Sequence, residues 1–461
     1  MNMDRRRLFA TLAGAASAGA ATPTVAREQR AFVPADAEPA PRSAIDATAL
    51  GLRPNSADDQ TTILQRAIDR AAAAHAVLQV PPGTYRTGSL QLPPYAAIAG
   101  ITGATRLVMA GGPSMLSSTG SDHISISGLV LDGAGIALPE GRGLMHFTQG
   151  RSVGITDCEI VNAGRNGITL QAIGGEVTGN TVNAADCAIF SNDADGLRIA
   201  GNSVRGAGNG GILIWRSKPG DDGTLVVDNR VEDIANKSGG SGQYGNAINV
   251  FRADNVIVRG NRIRNAAFSA VRGNSASNLQ IVGNTCSGLG EVAIYSEFSF
   301  EGAIIANNIV DRAAVGISVT NFNAGGRLCV VQGNLIRNLT AGRPPGDDQS
   351  NTGAVGISVE ADTTVTGNVV ENVQGIGIQA GWGSYLRDVV ITANLVRATD
   401  FGIAVSVSPG AGTAIIADNL ISEALLGAIV GMEQKKLVAG DLGKEGAMRY
   451  AHLSIGSNRV R

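Results

Sequence analysis

Three residues near the middle of the chain have the types needed to remove a proton beside a carboxylate. Arg272 can neutralise a carboxylate with a forked donor, and Tyr295 can move the proton. Glu297 can tune Tyr295, hold Arg272 or bind Ca²⁺. Around them stand groups suited to a sugar polymer. Trp215, Phe251 and Trp382 offer aromatic faces, Arg216 and Arg252 offer cations, and Asn249, Asn274 and Glu360 offer hydrogen bonds. The set as a whole predicts lysis or epimerisation of a uronate polymer, where charge neutralisation must accompany a base and an acid.

A repeat must position these residues. Ile248, Val271, Ile294 and Ile317 follow one another at 23-residue steps, each after a small residue and inside an alternating run such as Ala247-Ile248-Asn249-Val250-Phe251. A period of this length with short alternating strands predicts one coil of a parallel β-solenoid, stacked on its neighbours at roughly 4.8 Å. The same strand recurs at Ile168, Ile189, Ile212, Ile357, Ile378, Ile403 and Ile429, so about a dozen coils are expected. Alternation turns Ile248 and Val250 inward and Asn249 and Phe251 outward. Stacking then predicts two outward columns: Leu213, Asn249, Arg272, Tyr295 and Ser318 in one, and Trp215, Phe251, Asn274, Glu297, Thr320 and Glu360 in the other. Arg216 and Arg252 fall at the strand edge. Glu297 and Glu360 lie about two coils apart, roughly 10 Å, a marginal pair for hydrolysis, which needs carboxylates about 5 to 9.5 Å apart.

Extra residues at 217–223, 235–245 and 340–351 interrupt the step. The first two are expected to wall a groove over the columns. A second unit ends in Gly-Asn or a near equivalent, at Asn180, Asn202, Asn261, Asn284, Asn308, Asn334, Asn368, Asn394, Asn419 and Asn458. Asn tolerates a left-handed corner, and stacked Asn amides can bond from coil to coil, so this unit reads as a structural ladder.

The N-terminus carries other information. Arg6-Arg7 with Phe9, then an Ala/Gly-rich run, predicts a twin-arginine signal peptide over 1–26. Residues 27–47, with three prolines, read as a disordered linker before a β-helix domain over 48–461. Ser56-Ala57-Asp58-Asp59 resembles a capping box ahead of a helical stripe at 63, 64, 67, 68 and 71. A helix there would cap the open end of the solenoid within 48–100.

Asp58-Asp59-Gln60, Leu64-Gln65-Arg66-Ala67-Ile68 and Val80-Pro81-Pro82-Gly83-Thr84-Tyr85 resemble the N-terminal cap of the pectate-lyase-like right-handed β-helix group. Gly128-Leu129-Val130-Leu131-Asp132-Gly133 resembles an early coil of that group. Signal and repeats together resemble the twin-arginine-translocated β-helix repeat proteins. The resemblance implies an all-β fold, a single right-handed parallel β-helix with an α-helical cap, and places a substrate groove across the Ile strands. It brings no reaction with it. The Asp-Pro-His-Asp of mannuronan epimerases and the Gly-His-Gly and Arg-Ile-Lys of polygalacturonases are missing.

A net charge of −2 gives no whole-chain reason to expect nucleic acid as a partner. No later run is long and apolar enough to span a membrane. Cys158, Cys187, Cys286 and Cys329 occupy different repeat positions and read as buried thiols. No two of His75, His123, His146 and His452 have ligand spacing, so no cofactor is expected beyond an optional Ca²⁺. His146 and the Asp193/Asp195 segment stand as alternative centres. The expected partners are polysaccharide and the twin-arginine export machinery, for a monomer in the periplasm or beyond. The alternative is a non-catalytic carbohydrate-binding or envelope scaffold protein.

Overall fold

A computed structural model describes residues 43–183, 186–240, 242–342, 353–445 and 447–461. The expected signal peptide, most of the expected linker and most of the 340–351 insertion fall outside the described residues. The fold is a parallel β-solenoid of about 13 turns. Its strands are joined in one continuous hydrogen-bonded sheet. Among the named strands every pairing is parallel except one, the hairpin between Leu420–Glu433 and Lys436–Asp441.

Alternation and burial explain the coil. The residue following Gly or Ala in each repeated strand, from Ile168 through Ile294 to Ile429, is fully buried. These residues stack in register from coil to coil, as Ile212 on Ile248, Val271 on Ile294 and Ile317 on Ile357 show. Each removes a branched side chain from water, worth about 1.5–3 kcal/mol before the entropy of ordering is charged against it.

The ladder is continuous from Asn180 to Asn458. At Asn284 the backbone N–H and the side-chain Nδ2 both donate to Asn308 Oδ1, at 2.9 and 3.0 Å, and Nδ2 also donates to the Val258 carbonyl at 3.0 Å. Asn229 supplies a further rung between Asn202 and Asn261.

At the N-terminal end the helix runs Thr61–Ala73 and buries Leu64, Ala67, Ile68, Ala71 and Ala72 in the main core. The capping box does not form. Gln60 is the N-cap residue and its side chain bonds the Arg53 backbone rather than capping the helix, while Asp59 Oδ1 accepts from Thr61 N at 2.8 Å. The linker also ends sooner than expected, since Ala44–Asp46 is a strand paired with Val77–Gln79. All four Cys are buried and free.

Candidate functional site

The strands that position the site are Gly210–Asp221, Asn246–Asp254, Val271–Asn274, Val292–Glu297 and Val315–Val319. The first outward column forms, and the second forms from Trp215 to Glu297. Leu213 pairs with Asn249, Asn249 with Arg272, Arg272 with Tyr295, and Tyr295 with Ser318. Trp215 pairs with Phe251, Phe251 with Asn274, and Asn274 with Glu297.

A cavity of about 380 Å³ opens over these columns, lined by Trp215, Gly242, Gln243, Asn249, Phe251, Arg272, Asn274 and Phe298. One wall is aromatic. The Trp215 ring stands edge-on to Phe190 at 5.3 Å and to Phe251 at 5.6 Å, and the Arg252 guanidinium lies 4.7 Å over Phe251. The Trp215 Nε1 donor is buried and has no hydrogen-bond partner. A second wall comes from the 235–245 loop. Asn246 Nδ2 donates to the Gly242 carbonyl at 2.8 Å, and Asn249 Nδ2 reaches the Gly242 and Gln243 carbonyls at 3.4 Å. Gly242 lies against the Arg272 guanidinium so closely that a Cβ there would meet Nη2 at 3.0 Å.

Arg272 does not project freely into this space. Its Nε donates to Glu297 Oε1 at 2.7 Å, and its Nη1 lies 3.5 Å from Glu291 Oε2. The Tyr295 ring lies 5.1 Å from its guanidinium carbon. Asn274 Nδ2 also donates to Glu297 Oε1, at 3.1 Å. Arg272, Glu291 and Glu297 are all buried. Burial disfavours the Arg272 charge, and Glu297 and Glu291 more than offset that, so it stays firmly protonated. Burial raises the Glu297 carboxyl above its usual range, with Arg272 pulling the other way.

Tyr295 packs on Val292, Val315 and Val355, outside the main core. Burial first, then Glu297 and Glu291, push its hydroxyl up to about 12. It is therefore a neutral phenol at neutral pH and a poor base. Neither Tyr295 nor Glu297 lines the cavity. The expectation that all three of Arg272, Tyr295 and Glu297 open into a groove is corrected to one, Arg272. The other two form its support.

The remaining expected residues divide. Trp215, Asn249, Phe251 and Asn274 come together in the cavity. Arg216 is turned away to the Ala194 carbonyl, 3.2 Å from Nη1, and Asp222, 3.8 Å from it. Glu360 is buried and accepts from the Phe322 N–H at 2.7 Å. Trp382 closes a tight turn with Tyr385. The 217–223 segment does not wall the cavity, because most of it continues the strand Gly210–Asp221.

Glu291 and Phe298 belong to the site and lie outside the expected set. Glu291 immediately precedes its strand. Phe298 follows the same strand at a corner where Arg252, Ser275 and Asn321 are also left-handed. Asn accepts that corner readily, whereas a bulky aromatic there is an outlier. Phe298 is also 41% exposed.

The alternative centres are elsewhere. His146 is buried, its Nδ1 lacks a partner, and burial with nearby Arg142 pulls it down to about 4. Asp193 and Asp195 line a separate cavity of about 490 Å³ with Asp122 and Arg151. There Ser217 Oγ donates to Asp193 Oδ2 at 2.6 Å, and Ser217 N to Oδ1 at 2.8 Å.

Residues 219–385 match the family model described as the right-handed β-helix region. The solenoid is a right-handed parallel β-helix. Residues 105–252 also match the model described as periplasmic copper-binding protein (NosD). No curated protein sequence matches the chain. Among solved structures, the N-terminal fragment of bacteriophage Phi29 gene product 12 is 15% identical, with 90% of this chain and 72% of that one covered and a TM-score of 0.49. The Streptococcus pneumoniae surface adhesin PfbA is 15% identical, with coverage of 86% and 94% and a TM-score of 0.43. The catalytic unit of a GH87 α-1,3-glucanase from Streptomyces thermodiastaticus is 16% identical, with coverage of 91% and 68% and a TM-score of 0.45. These likenesses carry no chemistry to this chain.

The residues present do not fit a copper site. Among the described residues no three His, Cys, Asp or Glu side chains form a group that could hold a metal ion. Burial pushes the Cys158 thiol to about 11 and Cys187 and Cys286 to about 12, which disfavours the thiolate a metal needs.

Proposed function

We propose that this is an exported saccharide-binding β-helix protein whose ligand occupies the cavity between Trp215 and Phe298. The observation that carries the proposal is the cavity lining. Aromatic rings for sugar faces stand beside Asn249, Asn274 and Gln243 amides for hydroxyls. Its volume falls within the about 300–1,000 Å³ of small-ligand sites, and such a mixture of apolar wall and few polar groups is what those sites use. The exposed, left-handed Phe298 supports the same reading, because strained residues gather at binding sites. Trp215 and the Phe298 corner are three coils apart, about 14 Å, so more than one pyranose ring fits along the stack.

Export rests on the Arg6-Arg7 signal, and the periplasmic description of one matching family model agrees with it. Lysis or epimerisation is the weaker reading. Burial pushes the Tyr295 hydroxyl up to about 12, which makes it a poor base at neutral pH, and Arg272 already serves Glu297 and Glu291.

A glycan array probed with the mature protein tests the reading, followed by an absorbance assay for unsaturated uronates. Saccharide binding without turnover is expected, and loss of that binding in Trp215→Ala. Release of unsaturated uronate that Tyr295→Phe abolishes would restore the lyase reading. Absence of any glycan binding would overturn the proposal.

A further inference from the structure

Arg272 is the one charged residue among the described residues that line the cavity. In a uronate site, a cation in that place would be available to pair with the ligand carboxylate. Here the guanidinium is enclosed. Glu297 takes Nε, Glu291 approaches Nη1, the Tyr295 ring covers it from one side, and the Gly242 backbone lies against Nη2. We propose that the cavity selects an uncharged saccharide and rejects uronates, with Glu291 and Glu297 as the residues that set this preference. The proposal rests on the saccharide reading of the cavity and adds the ligand's charge class.

The physical argument is a comparison of two ligands at one place. A carboxylate brought to Arg272 would join two carboxylates already sharing that cation. It would give up its water without gaining an available charge, and it would meet like charges in a setting of reduced dielectric. A hydroxyl meets no such opposition. It can exchange bonds with the amides of Asn249, Asn274 and Gln243. The two expected cations at the strand edge lie outside the lining. Arg252 lies over Phe251 with Nη1 3.4 Å from the Ser217 carbonyl, and Arg216 is turned to Ala194 and Asp222.

The same cluster makes the preference reversible by substitution. Glu297→Gln preserves the shape and an oxygen acceptor for Arg272 Nε while removing one negative charge. Glu291→Gln removes the other from its neighbour. The double variant removes both negative charges beside the guanidinium, which lowers the opposition to a ligand carboxylate there.

Calorimetric titration with neutral gluco-, manno- and galacto-oligosaccharides and with oligogalacturonate and oligomannuronate tests this, at low and high salt. For the wild type, uronates should bind at least tenfold more weakly than the best neutral ligand, and neutral binding should not change with salt. Uronate affinity should rise about tenfold in Glu297→Gln and further in the double variant, becoming salt-sensitive. Glu291→Gln alone serves where Glu297→Gln does not fold, as judged by melting.

Uronates binding the wild type best, through a site that Trp215→Ala destroys, would overturn the charge preference and leave the saccharide site standing. Uronate affinity unmoved by any folded Glu variant would overturn it as well. If neither ligand class binds, the saccharide reading itself has failed.

Discussion

Two buried polar arrays share the same coils and differ in kind. The Asn ladder repeats one residue, and each amide oxygen accepts from the rung before it, so its polar groups are closed among themselves. The Arg272 cluster occurs once, mixes one cation with two carboxylates and a phenol, and borders a cavity. The ladder could be extended by another coil without change, whereas the cluster depends on four particular residues on two adjacent coils. In a solenoid, repetition marks scaffold, and a buried exception to the repeat marks the place to look for function.

The comparison breaks most visibly at Arg272. Replacing it with Met leaves Glu297 and Glu291 buried without their cation, and should cost about 3–5 kcal/mol at pH 8 in denaturant unfolding. Part of that loss should return at pH 5, where the carboxyls can take up protons. Asn284→Ala should cost somewhat less, about 3 kcal/mol, because Asn261 loses its acceptor and the Val258 carbonyl its donor. That loss should be the same at both pH values. A pH-independent Arg272 variant, or a pH-dependent ladder variant, would erase the distinction between the arrays.

Two smaller effects sharpen it through pH. Asp222 has a fully buried carboxyl whose oxygens lack hydrogen-bond partners, and burial raises it. A raised folded value means that its contribution is present below the unfolded value and lost as pH rises through the folded one. Asp222→Asn should therefore gain stability at pH 8 relative to wild type and little at pH 4. His146 has the opposite sign. Held at about 4, against an ordinary 6.5, it is neutral when folded. Its contribution is present above pH 6.5 and lost as pH falls towards 4. His146→Gln should flatten that limb of the melting profile. The smallest effect belongs to Tyr295→Phe, below about 1 kcal/mol by the worth of one hydrogen bond, with saccharide binding retained.

What the chain discloses in advance follows from its periodicity. Ile248, Val271, Ile294 and Ile317 recur at a fixed step with strict alternation, so both their burial and the outward columns could be read directly. Trp215, Asn249, Phe251, Arg272 and Asn274 were legible for the same reason. Direction along a column does not reveal what covers it. Arg272, Tyr295 and Glu297 all leave the core as alternation requires, yet the 242–243 loop and the carboxylates enclose the first, and neighbouring valines enclose the second. Glu291 and Phe298 flank the strand on either side, at corners where a period of two no longer applies. Glu360 and Trp382 lie along the stack beyond the cavity's reach, because outward placement alone does not bring residues to one pocket.

Tryptophan emission offers the most direct test of the central claim that the cavity binds a saccharide. The chain has only two Trp residues, and Trp215 lines the cavity while Trp382 does not. In Trp382→Phe the emission reports on Trp215 alone. Titration with an oligosaccharide shown by calorimetry to bind should shift that emission saturably, at the calorimetric midpoint, and Phe298→Ala should move the midpoint to higher concentration. Calorimetric binding that leaves the Trp215 emission unchanged would contradict the account.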